Sequence, residues 1–220
     1  MIKNFTIYGE RCSGTNYLEN LMTLNFDIEV TWKYGWKHFP GFNNLSNSED
    51  TLFICIVRNP IDWLNSFYLN PFHLPKCLRE NINNFLNNEF WSFDEKDKNT
   101  DETKELMIDR NLHTKERYKN VFELRYTKLR YLIEDLPNKV KNYIFIRYED
   151  LVEDFENSMN KIRNCGLNIR ENISFPVNTT EYKKEKRTYP KIAKPVVYQD
   201  VIINNVGFDI QYEKELGYFI

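Results

Sequence analysis

Two stretches of the chain put chemically useful side chains at the ends of apolar runs. The first is Gly9-Glu10-Arg11-Cys12-Ser13-Gly14-Thr15-Asn16-Tyr17; the second is Arg58-Asn59-Pro60, with Ser66 eight residues after Arg58. Each follows a segment of strand character and opens one of helical character, and each reads as a grip for a phosphate. Gly9 and Gly14 let the first turn bend tightly and bring backbone N–H groups toward a ligand. A helix starting at Thr15 adds the positive end of its dipole, so an anion is the natural occupant. Taken alone, this stretch also fits a glycine turn that merely caps a helix. In the second stretch Arg58 offers a planar fork of donors and Ser66 a hydroxyl, a pair suited to a phosphate monoester. The structural alternatives are an ion pair between Arg58 and Asp62 and a small buried residue at Ser66.

The interval from Gly9 to Gly14 satisfies the first half of the Walker pattern, but Thr15 stands where its lysine belongs and Asn16 where its magnesium-binding hydroxyl belongs. ATP-type chemistry thereby loses its two main tools. A P-loop phosphotransferase and a non-catalytic nucleotide-binding module remain as alternative readings, the former separable by its dependence on magnesium.

The elements that must carry these grips follow from periodicity. Phe5 and Ile7 alternate as in a short strand, after which Leu18, Leu21, Met22 and Phe26 recur at helical spacing. Thr51–Val57 is nearly continuous in apolar residues, as expected for a strand buried on both faces of a parallel sheet. Pro60 suits the first turn of the next helix, with Asn59 as its N-cap. Val121, Leu124, Leu129, Leu132, Ile133 and Leu136 mark an amphipathic helix ending before Pro137, and Tyr143–Arg147 reads as another buried strand followed by a helix. These alternating strands and helices predict an α/β three-layer sandwich with a mainly parallel sheet and a P-loop-like nucleotide-binding core. Residues 1–220 are expected to form one domain with a helical, polar insertion at about 76–136, in which the charged run from Asp94 to Glu102 is an exposed connector.

At these residues the chain resembles the sulfotransferases that use 3′-phosphoadenosine 5′-phosphosulfate (PAPS). Ser13-Gly14-Thr15-Asn16-Tyr17 is similar to that family's 5′-phosphosulfate loop. Val57-Arg58-Asn59-Pro60 through Ser66-Phe67-Tyr68 is similar to its 3′-phosphate segment. Lys37-His38-Phe39-Pro40 and Phe145-Ile146-Arg147-Tyr148-Glu149-Asp150-Leu151 are similar to two further family segments, in the family's order. The resemblance implies PAPS as donor and 3′-phosphoadenosine 5′-phosphate (PAP) as product. It implies in-line sulfuryl transfer to an acceptor hydroxyl or amine, with no metal required. The donor would be held by Arg11, Cys12, Ser13, Gly14, Thr15, Asn16 and Tyr17 at its 5′ end and by Arg58 and Ser66 at its 3′-phosphate. Tyr17 would stack on adenine, or else pack behind the loop. The family's basic residue before Ser-Gly is Cys12 here, and Arg11 is the nearest cation, expected to stabilise charge on the departing phosphate.

His38 is the expected catalytic base, because transfer to a hydroxyl needs a group that takes a proton near neutral pH and imidazole has a suitable pKa. Glu10 is the reserve base, or else the salt-bridge partner of Arg11. The acceptor is open among a small phenol, a carbohydrate and a protein tyrosine.

Composition sets the remaining bounds. The 220 residues carry 30 Lys and Arg against 32 Asp and Glu, a formal net charge of −2, which argues against a general nucleic-acid binder. The dense basic stretch Lys183-Lys184-Glu185-Lys186-Arg187, with Lys191 and Lys194, reads as a solvated loop or as a flap over the donor. Cys12, Cys55, Cys77 and Cys165 lack metal-ligand spacing and read as free thiols of a reducing compartment. With no signal-peptide pattern and no apolar run of membrane-spanning length, the expectation is a soluble cytoplasmic protein without membrane partners.

Overall fold

The computed structural model describes residues 1–94, 104–180, 196–197 and 199–220. The basic stretch 183–194 and most of the charged connector at 94–102 therefore lie outside the described residues. In chain order the regular elements are β1 (Asn4–Tyr8), α1 (Thr15–Asn25), β2 (Glu29–Val30), β3 (Thr51–Val57), α2 (Pro60–Leu69), α3 (Lys76–Arg79), α4 (Ile82–Asn87), α5 (Val121–Arg130), β4 (Asn142–Arg147), α6 (Tyr148–Glu153), α7 (Phe155–Arg163), α8 (Gln199–Ile203) and α9 (Ile210–Glu215). The chain divides into two compact units, Met1–Asn59 with Tyr131–Ile192 and Pro60–Arg130 with Ala193–Ile220.

The first unit holds an all-parallel sheet of strand order β2-β1-β3-β4. β3 is buried along its whole length, as its unbroken apolar run requires. Register sets Ile7 beside Ile54 and Ile54 beside Ile144. Phe5, Ile7, Leu52, Ile54 and Ile56 share one core with Leu18, Leu21 and Met22 of α1 and with Leu151, Met159 and Ile162 of α6 and α7. Each such large aliphatic side chain, fully buried, contributes about 1.5–3 kcal/mol. On the other face Phe53 packs against Tyr8 and Tyr34, with ring centroids at 5.8 and 5.3 Å. The chain leaves β1 toward β2 and returns to β3 on the opposite side of β1. The carboxyl ends of β1 and β3 therefore flank a topological switch point, the place where open α/β sheets bind ligands.

The second unit is helical among its described residues. Its core centres on Trp63, Phe67, Phe85 and Phe90, with Phe67 5.6 Å from Phe85 and 5.8 Å from Phe90. Asn65 fixes the returning chain, accepting from the Val196 and Val197 amides at 2.6 and 2.7 Å. Arg125 is buried over Trp63 and paired with Glu213, Nη2 to Oε2 at 2.8 Å. The predicted amphipathic helix begins at Val121 as expected. Beyond Arg130 it widens into a π-type turn over Tyr131–Asp135 and tightens into a 3₁₀ turn over Leu136–Asn138 that includes Pro137. Pro137 has no N–H to donate and so sits at the start of that last turn, where none is needed.

Candidate active site

The loop between β1 and α1 is shaped by close approaches of the main chain. A side chain at Gly9 would place its Cβ 2.5 Å from the Ile56 carbonyl oxygen of the neighbouring strand. Gly14, the N-cap residue of α1, has φ of 93°, and a Cβ there would lie 2.3 Å from the Tyr148 ring. Cys12 is also left-handed, at φ 65°. No side chain caps α1 and its first turn has no acidic residue, so its amino end keeps its positive character. That cradle, with Ser13 and Thr15 buried beside it, suits an anion.

The predicted charged residues of the loop are found paired. Arg11 is 1% exposed; its Nε donates to Glu10 Oε1 at 2.7 Å, as does its backbone N–H. The reserve base and the candidate cation are thus each other's partners, the alternative weighed from the sequence. Arg11 also lies over the Phe39 ring, 5.7 Å from its centroid. Tyr17 is in the core, edge-on to Tyr148, and its hydroxyl donates to Asn178 Oδ1 at 2.8 Å. Asn16 Oδ1 accepts from the Lys37 ammonium.

His38 is brought to this loop by a reciprocal pair of bonds. The Gly9 N–H donates to the Lys37 carbonyl at 3.0 Å, and His38 Nδ1 lies 2.8 Å from the Gly9 carbonyl oxygen. A carbonyl only accepts, so Nδ1 carries the hydrogen and the lone pair of the neutral ring is on Nε2. Burial is the main influence on the ring and pushes its pKa down to about 3. Glu10 and the Gly9 bond oppose the shift, while Lys37 and Arg11 add to it. The residue as a whole retains some exposure all the same. His38 is therefore neutral at physiological pH, with a lone pair to offer, but burial holds its pKa well below the near-neutral value expected from its residue type.

At the end of β3, Arg58 is 6% exposed. Its Nη1 donates to the Cys12 carbonyl at 3.2 Å and its guanidinium lies over Tyr148, 4.9 Å from the ring centroid. The first loop and Arg58 are thus joined, with Tyr148 touching both. Glu149 Oε1 accepts from the Asn59 N–H at 2.9 Å, and Asp150 pairs with Arg147, Oδ2 to Nε at 3.1 Å. Ser66 belongs to the second unit, buried in α2, its carbonyl accepting from the Asn70 amide at 3.0 Å.

Two residues of this arrangement were not singled out as site residues from the sequence. In the sequence Tyr148 stands out only within a matching segment, and Lys37 only as the neighbour of His38. Their roles depend on which elements fold against them. A cleft lined by Asn43, Ser46, Lys139 and Lys141 lies at the amino ends of β3 and β4, away from the loop and Arg58.

The sulfotransferase domain family matches residues 38–192, a span that includes His38, Arg58, Ser66 and Tyr148–Asp150 and leaves out the first loop. No curated protein matches the sequence. Among solved structures, the chain is similar to mouse sulfotransferase SULT7A1 complexed with PAP, at 15% identity and a TM-score of 0.40, covering 99% of this chain and 79% of that one. Among the described residues no helix is long and apolar enough to cross a membrane. The family match sets aside the phosphotransferase and the non-catalytic module, and with its parallel sheet and its strand-end loop the chain belongs to the PAPS-dependent sulfotransferase family.

Proposed function

We propose that the chain transfers a sulfuryl group to an acceptor hydroxyl or amine with His38 as the base. The observation that carries this reading is the Nδ1 bond of His38 to the Gly9 carbonyl, which leaves the lone pair on Nε2 and ties the base to the anion-binding loop. PAPS, when bound, supplies the sulfuryl group and a phosphate leaving group. The loop from Ser13 to Asn16 would hold its 5′ end through the uncapped amino end of α1, and Arg58 its 3′-phosphate through a charged fork.

The chain's own residues then have separable tasks. His38 Nε2 accepts the acceptor's proton as its oxygen or nitrogen attacks, a step that contributes about 10²–10⁴-fold in such enzymes. Glu10 fixes Arg11, whose positive charge beside the loop favours negative charge on the leaving group. Tyr148 fills the space beside Gly14 and lays its ring against the Arg58 guanidinium. Cytoplasmic location, with a phenol, carbohydrate or protein tyrosine as acceptor, remains part of the proposal.

The test is a comparison of thermal stabilisation by PAP and by AMP, since a ligand that binds only the native state raises its melting temperature. PAP is expected to stabilise the protein far more than AMP. Equal shifts would remove the 3′-phosphate role of Arg58, and the donor assignment with it.

A further inference from the structure

We propose that Trp36 is a specificity-determining residue, a platform on which the ring of a phenolic acceptor lies beside His38; this rests on the reading of His38 as the base. The segment from Trp32 to Phe39 buries Tyr34 and Phe39, which are 2% and 4% exposed. Trp36, between them in the chain, is 43% exposed. It is held in place all the same. Its ring lies 5.1 Å from that of Trp32, tilted by 41°, and the Lys37 ammonium is 5.3 Å from its centroid. The His38 ring stands at 83° to it, with centroids 6.3 Å apart. A single exposed apolar side chain is ordinary on a protein surface. What sets Trp36 apart is its contact with the base.

Position and chemistry together select the occupant. Nδ1 of His38 is turned to the Gly9 carbonyl, so an acceptor meets the ring at Nε2, within about 2.6–3.2 Å for proton transfer. Aromatic pairs prefer centroid separations of about 4.5–7 Å, and the imidazole already stands at such a distance from the indole. A flat ring that carries its hydroxyl directly can therefore bond to the base while its face or edge meets Trp36. Trp is a large surface with only two side-chain torsions, and this one is already packed on Trp32, so little freedom is lost when a ring settles on it. The acidity of the acceptor agrees with its shape. A base whose pKa burial holds near 3 takes a proton more readily from a phenol, at about 10, than from an aliphatic hydroxyl, which lies near water's roughly 15.7. A sugar has only hydroxyls of the second kind. A small phenol and a tyrosine side chain both present the first.

The experiment measures steady-state transfer from PAPS by the full chain to 2-naphthol, to a tyrosine-containing peptide and to methyl glucoside, with titration by PAP alongside, in wild type, Trp36→Ala, Trp36→Phe and His38→Ala. Wild type is expected to act on a phenolic probe with kcat/KM well above that for the glucoside, and the better phenolic probe names the source of the ring. Trp36→Ala should raise KM for that probe by about tenfold or more while leaving kcat and PAP affinity within a few-fold, and Trp36→Phe should keep most of the wild-type KM. An unchanged KM in Trp36→Ala, a fall in kcat alone, or equal losses for phenol and glucoside overturns the platform. Preference for the glucoside overturns the phenolic assignment, as does a wild type that binds PAP and modifies neither phenolic probe. Wild-type turnover in His38→Ala overturns the base reading and the placement beside it, whatever Trp36→Ala does to KM, so the two failures are told apart. If Trp36→Ala does not fold, Trp36→Leu is measured by the same comparison of KM with kcat and the same outcomes decide.

Discussion

The loop after β1 offers an anion mainly main-chain groups, through a left-handed Gly14 and an uncapped helix end, while its charged side chains already have partners close by. At the end of β3 the arrangement depends instead on one side chain, Arg58, laid on Tyr148 and bonded to the loop's own Cys12 carbonyl. A site built from backbone fails when its geometry is disturbed, and one built from a side chain fails when its charge is removed. Shape and charge are therefore separable by mutation, although both places lie at adjacent strand ends of one sheet.

The largest expected effect concerns the chemistry proposed for His38, which is bonded to the loop at Gly9. His38→Ala should lower turnover by about 10²–10⁴-fold while leaving PAP affinity within a few-fold, because a general base acts on the acceptor's proton. Titrated affinity and transfer rate in one preparation separate the outcomes. Retained turnover would pass the role to Glu10, and lost PAP binding would make His38 a packing residue.

Gly14→Ala attacks shape alone. The left-handed backbone and the contact with Tyr148 should together cost about 2 kcal/mol or more in urea unfolding. Measured against Tyr148→Ala alone, adding Gly14→Ala should cost only the backbone strain, because the contact is already relieved while the loss of the buried ring is common to both. A single substitution with wild-type stability would mean that the loop is more plastic than its dihedrals indicate.

Arg58→Ala attacks charge. It should weaken PAP binding by about 10–100-fold and AMP binding much less, whereas Ser66→Ala should weaken PAP binding by less than Arg58→Ala does. Equal losses of PAP and AMP in Arg58→Ala would show that the residue matters for its bond to the loop and not for a 3′-phosphate.

The smallest effect is a pH dependence of stability. The folded protein holds His38 neutral down to about pH 3, whereas the unfolded chain takes up the proton near pH 6.5. Between those values the unfolded state binds more protons, so the contribution is whole above pH 6.5 and is lost as pH falls toward 3. From pH 7.5 to 5.5 the loss is on the order of 1 kcal/mol. Urea melts at the two pH values should show a smaller difference in His38→Asn than in wild type; identical differences would mean that the ring is hydrated in the native state.

What could be read from the sequence follows the same division. β3 was legible because a strand buried on both faces leaves a continuous apolar run, β1 from the alternation of Phe5 and Ile7, and the start of α1 because Gly14 precedes a helical period; β4 was legible as a strand, but at the sheet edge it is only partly buried apart from Ile146, not buried as its apolar run suggested. β2 was not legible: two residues, Glu29 and Val30, carry no pattern, and only pairing with Asn4 and Phe5 makes them a strand. The chemistry of His38 was legible as a residue type, but its tautomer was not, since that depends on a carbonyl 29 positions away. Arg11 was legible as a cation, while the pairing with Glu10 remained one of two alternatives until the loop's conformation was known. Lys37 needed the fold most of all, because its neighbours Asn16 and Glu19 lie in α1, some twenty positions back along the chain.

Gly9 constrains the mutational history open to this protein more tightly than Gly14 does. The ring that faces Gly14 belongs to a side chain and could shrink in a descendant; the oxygen 2.5 Å from the site of a Gly9 Cβ belongs to the main chain at position 56, and every amino acid carries it. No change of residue type at Ile56 can therefore make room. A genetic screen for suppressors of Gly9→Ala should yield reversion to glycine and no compensating substitution at position 56.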